Sequence, residues 1–364
     1  MTRELRLVAT KLIQQSIQAG RDPMRCLPID EAPRRDVLWI PEELISLHGT
    51  SIYATLSEEQ IVRLSQMELA LFFSILCHGE RDLVVNVARM MLRKNFRDMR
   101  PYACHFVREE VNHIYMFSEF CARYAEFHSS RYSYIRRDPS TDSDVDDVIA
   151  MVHVLIFEEL GQSMNMYIAR TSQPIPLLVR EINILHVEDE GRHIGFGRCW
   201  VRMKAREILS RQEPESVARL RSQLREYIDG LHRDFFNAKI YARAGIADAF
   251  AVRASLVERF DARFFARLPL MKKRFLSLLG FLRSCELIDS HVAPGEGTAS
   301  TSLWGGQEAD RSPQDLASNR QHVGVRRSEL APEVLGGSVS GARDPAQDPD
   351  ATQGPAAAGP LPTA

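Results

Sequence analysis

Apolar–polar alternation with a period of two is missing from this sequence over any useful length, so no sheet is expected and the class is all-α. No run of 18 uncharged apolar residues occurs either, and with it goes the expectation of a membrane-spanning segment. The first twenty residues interleave Arg3, Glu4, Arg6 and Lys11 with their apolar side chains and lack the continuous apolar core of a signal peptide. Neither sign of charge is in excess. Lys and Arg number 46 against 48 Asp and Glu, a formal net charge of −2, which supplies no pull toward nucleic acid or anionic lipid. The six cysteines (Cys26, Cys77, Cys104, Cys121, Cys199, Cys285) form no Cys-x-x-Cys pair. A disulfide framework and a thiolate zinc site are therefore both unexpected, and the thiols read as reduced filler in a cytoplasmic protein.

What is present is a succession of long helical patterns. Residues 1–20 can form a short amphipathic helix, and residues 21–50 are broken by Pro23, Pro28, Pro33 and Pro41 into an extended arm. Leu56-Ser57-Glu58-Glu59 looks like a cap followed by first-turn acids. After it Leu69, Phe73, Leu76, Glu80, Val84, Val87 and Met91 recur at three- and four-residue steps. A second helix follows Pro101 to about His128, a third runs from Thr141-Asp142-Ser143-Asp144 to about Arg170, and a fourth from Pro174 and Pro176 to about Arg206. A fifth is expected from Pro214 to about Ala244, with one or two more over 246–285 and Lys272-Lys273-Arg274 as a solvated face. From about Ser290 the chain turns to Gly, Pro, Ala, Ser, Asp and Gln, a composition that buries too little to offset its ordering entropy. The organisation is thus an arm (1–55), one helical domain (56–289) and a disordered tail (290–364).

The chemistry sits where apolar side chains belong. His186, Glu190 and His193 are spaced i, i+4 and i+7 and share one helix face. The second helix offers Glu110 and His113 on its stripe, the first offers Glu80, and the third offers Glu159, with Glu158 one register step away. With 11 histidines, roughly one Glu-x-x-His is expected by chance, so the spacing alone proves little. The order is more telling: Glu, then Glu-x-x-His, then Glu, then Glu-x-x-His on four successive helices is the ligand logic of the ferritin-like di-metal carboxylate bundle. Four buried carboxylates without cations would be prohibitively costly, and two divalent metals cancel them. Imidazole with carboxylate suits iron or manganese. By analogy with such bundles, Glu110 and Glu190 bridge the metals, Glu80 and His113 complete one, and Glu159, His193 and His186 the other. Glu109 and Asp189 lack the i+3 partner and fall beside or outside that shell. His78, His105 and His153 lie off the stripes and read as core or surface histidines.

The extra histidine carries a resemblance. His186-x-x-x-Glu190-x-x-His193, the glutamate twenty-seven residues before it (Glu159), Glu110 with His113, and Glu80 resemble the pattern of the AurF-type arylamine N-oxygenases over about residues 56–250. The resemblance implies a ferritin-like bundle with two iron ions, manganese being the other option. It also implies O2 as co-substrate, an external electron donor (a protein or a small reductant), and a small aromatic amine, free or carrier-bound, oxidised to hydroxylamine, nitroso or nitro product. A place in natural-product or antibiotic biosynthesis would follow. The pocket wall departs from an aminobenzoate site. Phe72, Phe73 and Leu76 precede Glu80, with Ile75 close by and no Arg or Lys to pair with a carboxylate. Ser163, one turn beyond Glu159, is the candidate polar pocket group. Two other readings stand beside this one: a di-iron or manganese–iron acyl desaturase or hydroxylase, and a non-enzymatic iron-binding bundle. Oligomeric state, with a homodimer as one option, is not fixed by the sequence.

Overall fold

A computed structural model describes residues 3–129, 134–135 and 144–289. These belong to one compact unit. The tail expected over 290–364 and the cap expected at Thr141–Ser143 lie outside the described residues. Among the described residues the elements are α1 (Arg3–Ala19), α2 (Pro23–Cys26), α3 (Glu58–Met91), α4 (Arg100–Tyr124), α5 (Asp144–Arg170), α6 (Leu177–Leu209), α7 (Pro214–Leu231), α8 (Ala238–Arg243), α9 (Ala249–Phe260) and α10 (Pro269–Ser284), with short 3-10 turns between them and no strand.

Two helical hairpins make the bundle. α3 begins on a reciprocal cap, in which Gln60 N donates to Ser57 Oγ (3.2 Å) and Ser57 N to Gln60 Oε1 (3.0 Å). It runs 34 residues, roughly 50 Å. The turn Lys94–Met99 returns the chain into α4, which has Pro101 in its first turn. A second short connection joins α5 to α6. α3 packs mainly on α4 and α5 on α6, and further contacts of α3 with α5 and of α4 with α6 close a four-helix ring. α3 carries a window of mean hydropathy 1.3, apolar enough to cross a membrane by composition, but 72% of that window is buried inside the bundle. α1 lies across α4 and α6, and α10 packs on α5.

The proline-broken arm is part of the core. Trp39, Ile40, Leu44, Ile45 and Leu47 are buried. The Trp39 backbone N donates to Ser65 Oγ (3.1 Å) and its ring stands edge-on to Phe120. α2 and the turns Glu42–Leu44 and Tyr53–Thr55 interrupt what the prolines suggested was wholly extended.

Two expectations need correction. The helix expected from Pro214 to about Ala244 stops at Leu231, turns through a 3-10 segment, and restarts at Ala238, where Asn237 accepts from Lys239 N at 2.9 Å. Gly230 and Asn237, both poor inside helices, mark the break. Of the expected solvated trio, Lys272 and Lys273 are exposed, but Arg274 turns inward and donates to Gln162 Oε1 on α5.

Candidate metal centre

Midway along the four-helix ring, seven ionisable side chains meet in the dry interior. Glu80 (α3), Glu110 and His113 (α4), Glu158 (α5), and His186, Glu190 and His193 (α6) are each 2% exposed or less. Their ligand atoms fall into three overlapping sets, within each of which all atoms lie inside 4.8 Å of one another. The sets are Glu80, His113, His186 and Glu190; then Glu110, His113, Glu190 and His193; then the four carboxylates Glu80, Glu110, Glu158 and Glu190. His113 Nδ1 lies 3.0 Å from Glu110 and 3.3 Å from Glu190. His193 Nδ1 is 2.6 Å from Glu110 and 3.2 Å from Glu190. His186 Nε2 faces Glu80 at 3.3 Å and Glu190 at 3.4 Å. Glu190 thus appears in all three sets.

The electrostatics of the cluster ask for cations. Burial pushes the Glu80 carboxyl well above the usual carboxylate range, and Glu110 and Glu190 push the same way. Burial likewise raises Glu158, with Glu190 and Glu80 adding to it. At Glu110 burial also opposes ionisation, but His193 and His113 outweigh it and hold the group well below its ordinary value. Burial opposes a charge on His113, yet Glu110 and Asp189 lift it to about 10, and His193 is raised against burial by Glu110 and Glu190. His186, driven down by burial to about 4, stays neutral. Acids kept from ionising and imidazoles drawn toward a charge against burial are the marks of a site short of positive charge, which two divalent cations would supply. Glu80 Oε2, Glu158 Oε1 and Glu190 Oε2 are buried without a hydrogen-bond partner, a further sign of atoms awaiting a ligand. The residues present fit a two-metal centre of nitrogen and oxygen donors.

Around this centre every imidazole has its outer nitrogen held. His193 Nε2 meets Glu109 at 2.9 Å and His113 Nε2 meets Asp189 at 3.3 Å. Arg192 donates to both of those carboxylates, at 2.8 Å to Glu109. Glu109 and Asp189 are thus tied together by one guanidinium. The Asn165 amide nitrogen sits 2.7 Å from His186 Nδ1 while its own oxygen has no partner. A half-turn of that amide makes Oδ1 the acceptor of an Nδ1 proton and leaves the Nε2 lone pair free for a metal.

The structure brings together Glu80, Glu110, His113, His186, Glu190 and His193 but not Glu159. Glu159 points away into a bidentate pair with Arg198, at 2.5 and 2.6 Å, and Glu158 takes the interior position. The expected partition also shifts, since His186 groups with Glu80 and His113 rather than with His193. Next to Glu80, Gly79 leaves room for a ring: a Cβ there would lie 2.0 Å from Phe157 Cζ.

The family described as p-aminobenzoate N-oxygenase AurF matches residues 3–267. The chain belongs to the AurF family. The AurF-family match takes in every residue of the centre, the arm, and the helices through α9. No curated protein sequence matches the chain. Among solved structures, similar ones include an R2-like ligand-binding oxidase variant with an anaerobically reconstituted Mn/Fe cofactor, at 16% identity and TM-score 0.46, covering 77% of this chain and 93% of that one. Another variant, with an aerobically reconstituted Fe/Fe cofactor, has 16% identity, TM-score 0.44 and the same coverage.

Phe72 lines a cavity with Glu68, Leu71, Met164 and residues of the arm, whereas Phe73, Leu76 and Ser163 are not part of that lining. Phe73 packs on Phe117 and Phe120, and the Ser163 hydroxyl is spent on the Leu160 carbonyl at 2.6 Å. Arg198, Asn165 and Glu68 carried no sequence signal of their own, because each gains its partner from another helix or from the arm, and the reach of Arg192 to Glu109 on α4 was equally hidden.

Proposed function

We propose that this chain is a non-haem di-iron monooxygenase that uses O2 and outside electrons to oxidise the nitrogen of an aromatic amine. The observation that carries the reading is the buried set of four glutamates and three histidines on the four ring helices, within a chain of the AurF family. Bound iron would supply the redox chemistry that activates O2. The chain's own residues do the rest. Glu190, which is common to all three sets, and Glu110 would hold the metals. Glu80, Glu158, His113, His186 and His193 complete the donor set. Glu109, Asp189 and Asn165 fix the three rings by their outer nitrogens, so that ligand geometry is set before metal arrives. The apolar wall of Phe72, Phe73 and Leu76 excludes water from the side on which an aromatic ring would approach. The product is hydroxylamine, nitroso or nitro compound, made in the cytoplasm as a step of natural-product biosynthesis, with the substrate free or carrier-bound.

The test is metal content and turnover. Full-length protein loaded with iron should hold two metals per chain. With reductant and O2, it should convert ring-substituted anilines to products that gain oxygen on nitrogen, read by mass spectrometry with labelled O2. Less than one metal per chain, or oxygen gained only on carbon, would overturn the reading.

A further inference from the structure

The outer side of α6 carries one stripe whose makeup changes part-way along. Gly191, Gly195, Arg198, Arg202 and Arg206 follow at three- and four-residue steps, on the face turned away from His186, Glu190 and His193. Gly191 and Gly195 are exposed, and a Cβ added at either would meet nothing within 4 Å. Packing therefore does not account for two poor helix formers in the middle of a long helix. They leave bare backbone at the level of the metal centre, since Gly191 follows Glu190 and Gly195 lies just past His193. The Cα cylinder there is about 5 Å across. Beyond the glycines the stripe is basic, with Arg198 to Arg206 spanning about 12 Å along the axis. The Arg198 and Arg202 guanidinium carbons lie 5.1 and 5.5 Å from the Phe281 ring centre on α10, which holds them in place. Lys273, exposed on α10 one turn before the Ser277 that Arg198 reaches, adds a fourth cation. Arg202 and Arg206 make no ion pair among the described residues. The acids beside the row on α5 and α6 are engaged: Glu159 with Arg198, Glu188 with Arg21, and Glu207 with Lys204 and Arg211.

We infer that this stripe is where an acidic electron-carrier protein docks, its carboxylates on Arg202, Arg206 and Lys273 and its redox group over the bare backbone at Gly191 and Gly195. The inference rests on the need of the proposed reaction for outside electrons, and it names the kind of donor and its point of entry. Each docking transfers one electron, so two reduced carriers leave oxidised for every two ferric ions taken to ferrous. The chain as a whole has a net charge of −2, which gives an acidic protein no general attraction. A local basic row is then what orients the encounter. The arginines lie to one side of the glycines rather than around them. The partner's acids thus bind beside its redox group, and no side chain of α6 holds that group off. The same row touches the centre by a second route, since the Glu159 that Arg198 grips directly follows Glu158 on α5. A polyanion such as nucleic acid would use the cations but gives no reason for the glycines.

The experiment mixes full-length, iron-loaded ferric protein, free of O2, with one of three reductants. Two are acidic carriers, a plant-type [2Fe–2S] ferredoxin and a flavodoxin, and the third is the small cation reduced methyl viologen. Stopped flow follows loss of the ferric absorption. Reversing the row with Arg202→Glu and Arg206→Glu should slow both carriers about tenfold or more at low salt, and the gap should close to about twofold near 0.5 M salt. The viologen rate should not fall. Calorimetry with oxidised ferredoxin, which needs no turnover, should show the same loss of affinity. Arg63→Glu with Arg89→Glu makes the same change of net charge on exposed positions of α3, diagonally across the ring from α6, and should leave the carrier rates near wild type. Gly195→Trp keeps the row but fills the bare backbone, and should slow both carriers even at saturation. Carriers that reduce the row-reversed protein as fast as wild type would overturn the inference. So would equal slowing by the α3 and α6 reversals, or a row that binds phosphatidylserine vesicles and neither carrier. Carrier binding and reduction that follow the row in a protein that never oxygenates nitrogen would instead sink the proposed reaction and leave the docking surface standing.

Discussion

Neutralising one or the other of two adjacent glutamates on α5 should give opposite results. Glu158 faces three other carboxylates in the dry centre, and Glu159, about 100° around the same helix, grips Arg198. In metal-free protein, burial and the neighbouring Glu190 and Glu80 make a charged Glu158 unfavourable. Glu158→Gln should therefore leave the metal-free fold as stable as before or more so, while removing one of the four charges that balance two cations. Glu159→Gln removes a carboxylate that is 3% exposed from an arginine that is 28% exposed. Breaking a fully buried pair costs about 3–5 kcal/mol and an exposed one about 0–1. Arg198 can regain water, so about 2 kcal/mol is expected, a drop in Tm of roughly 4–6 °C for a domain of this size. Thermal melts with and without iron, alongside metal counting, separate the two. Glu158→Gln should lose metal and lose the iron-induced rise in Tm. Glu159→Gln should keep both from a lower baseline. A Glu158→Gln protein that still holds two irons, beside a Glu159→Gln protein that holds none, would refute the placement.

Two further outcomes follow from the surroundings of the centre. Because Glu68 has a folded pKa of about 7 against an ordinary 4.5, its contribution to stability is full below about pH 4.5 and is lost as pH rises through 7. Denaturant unfolding of metal-free protein should show wild type losing about 3 kcal/mol relative to Glu68→Gln between roughly pH 4.5 and 8, and parallel pH profiles would show that this carboxyl is not held up. Arg192→Lys cannot hold Glu109 and Asp189 in the same fork, so His193 and His113 lose their orientation; iron affinity measured against a chelator should fall about 10–100-fold, and an unaltered affinity would remove Arg192 from the support of the centre.

Much of this was legible before any coordinates, and the exceptions have physical reasons. α4 is buried on one side, so its stripe had a definite phase and placed Glu110 and His113; α3 is wholly buried from Glu68 to Glu80, and its phase came from the half-exposed turns beyond Glu80. The pattern on α6 needed no phase at all, since three ligand-type residues at four and three steps define their own face. α5 is different. Every described residue from Ala150 to Met166 is buried, so the helix has no solvent face to set its rotation. Hydrophobic periodicity then carries no phase, and Glu158 and Glu159, one step of about 100° apart, could not be told apart. The break after Leu231 was missed because two short helices with apolar faces look like one long one unless Gly230 and Asn237 are weighed as terminators. Arg274 looked solvated beside two lysines because its acceptor, Gln162, lies more than a hundred residues away. The Glu68 cavity was invisible for the same reason: its walls come from the arm, α3, α5 and turns late in the chain.

The close approach of Phe157 to Gly79 makes two positions answer to each other across the bundle. The first lies immediately before Glu80 and the second immediately before Glu158. Any side chain at 79 displaces the aromatic ring at 157, and a displaced ring turns the backbone that presents the next residue to the metals. Ligand spacing between α3 and α5 is thus gauged by the tip of a ring set against bare backbone, and a smaller residue at 157 is the change that would let position 79 vary. Chains that share this centre should change the two positions together, which gives a way to recognise close relatives without comparing a single metal ligand.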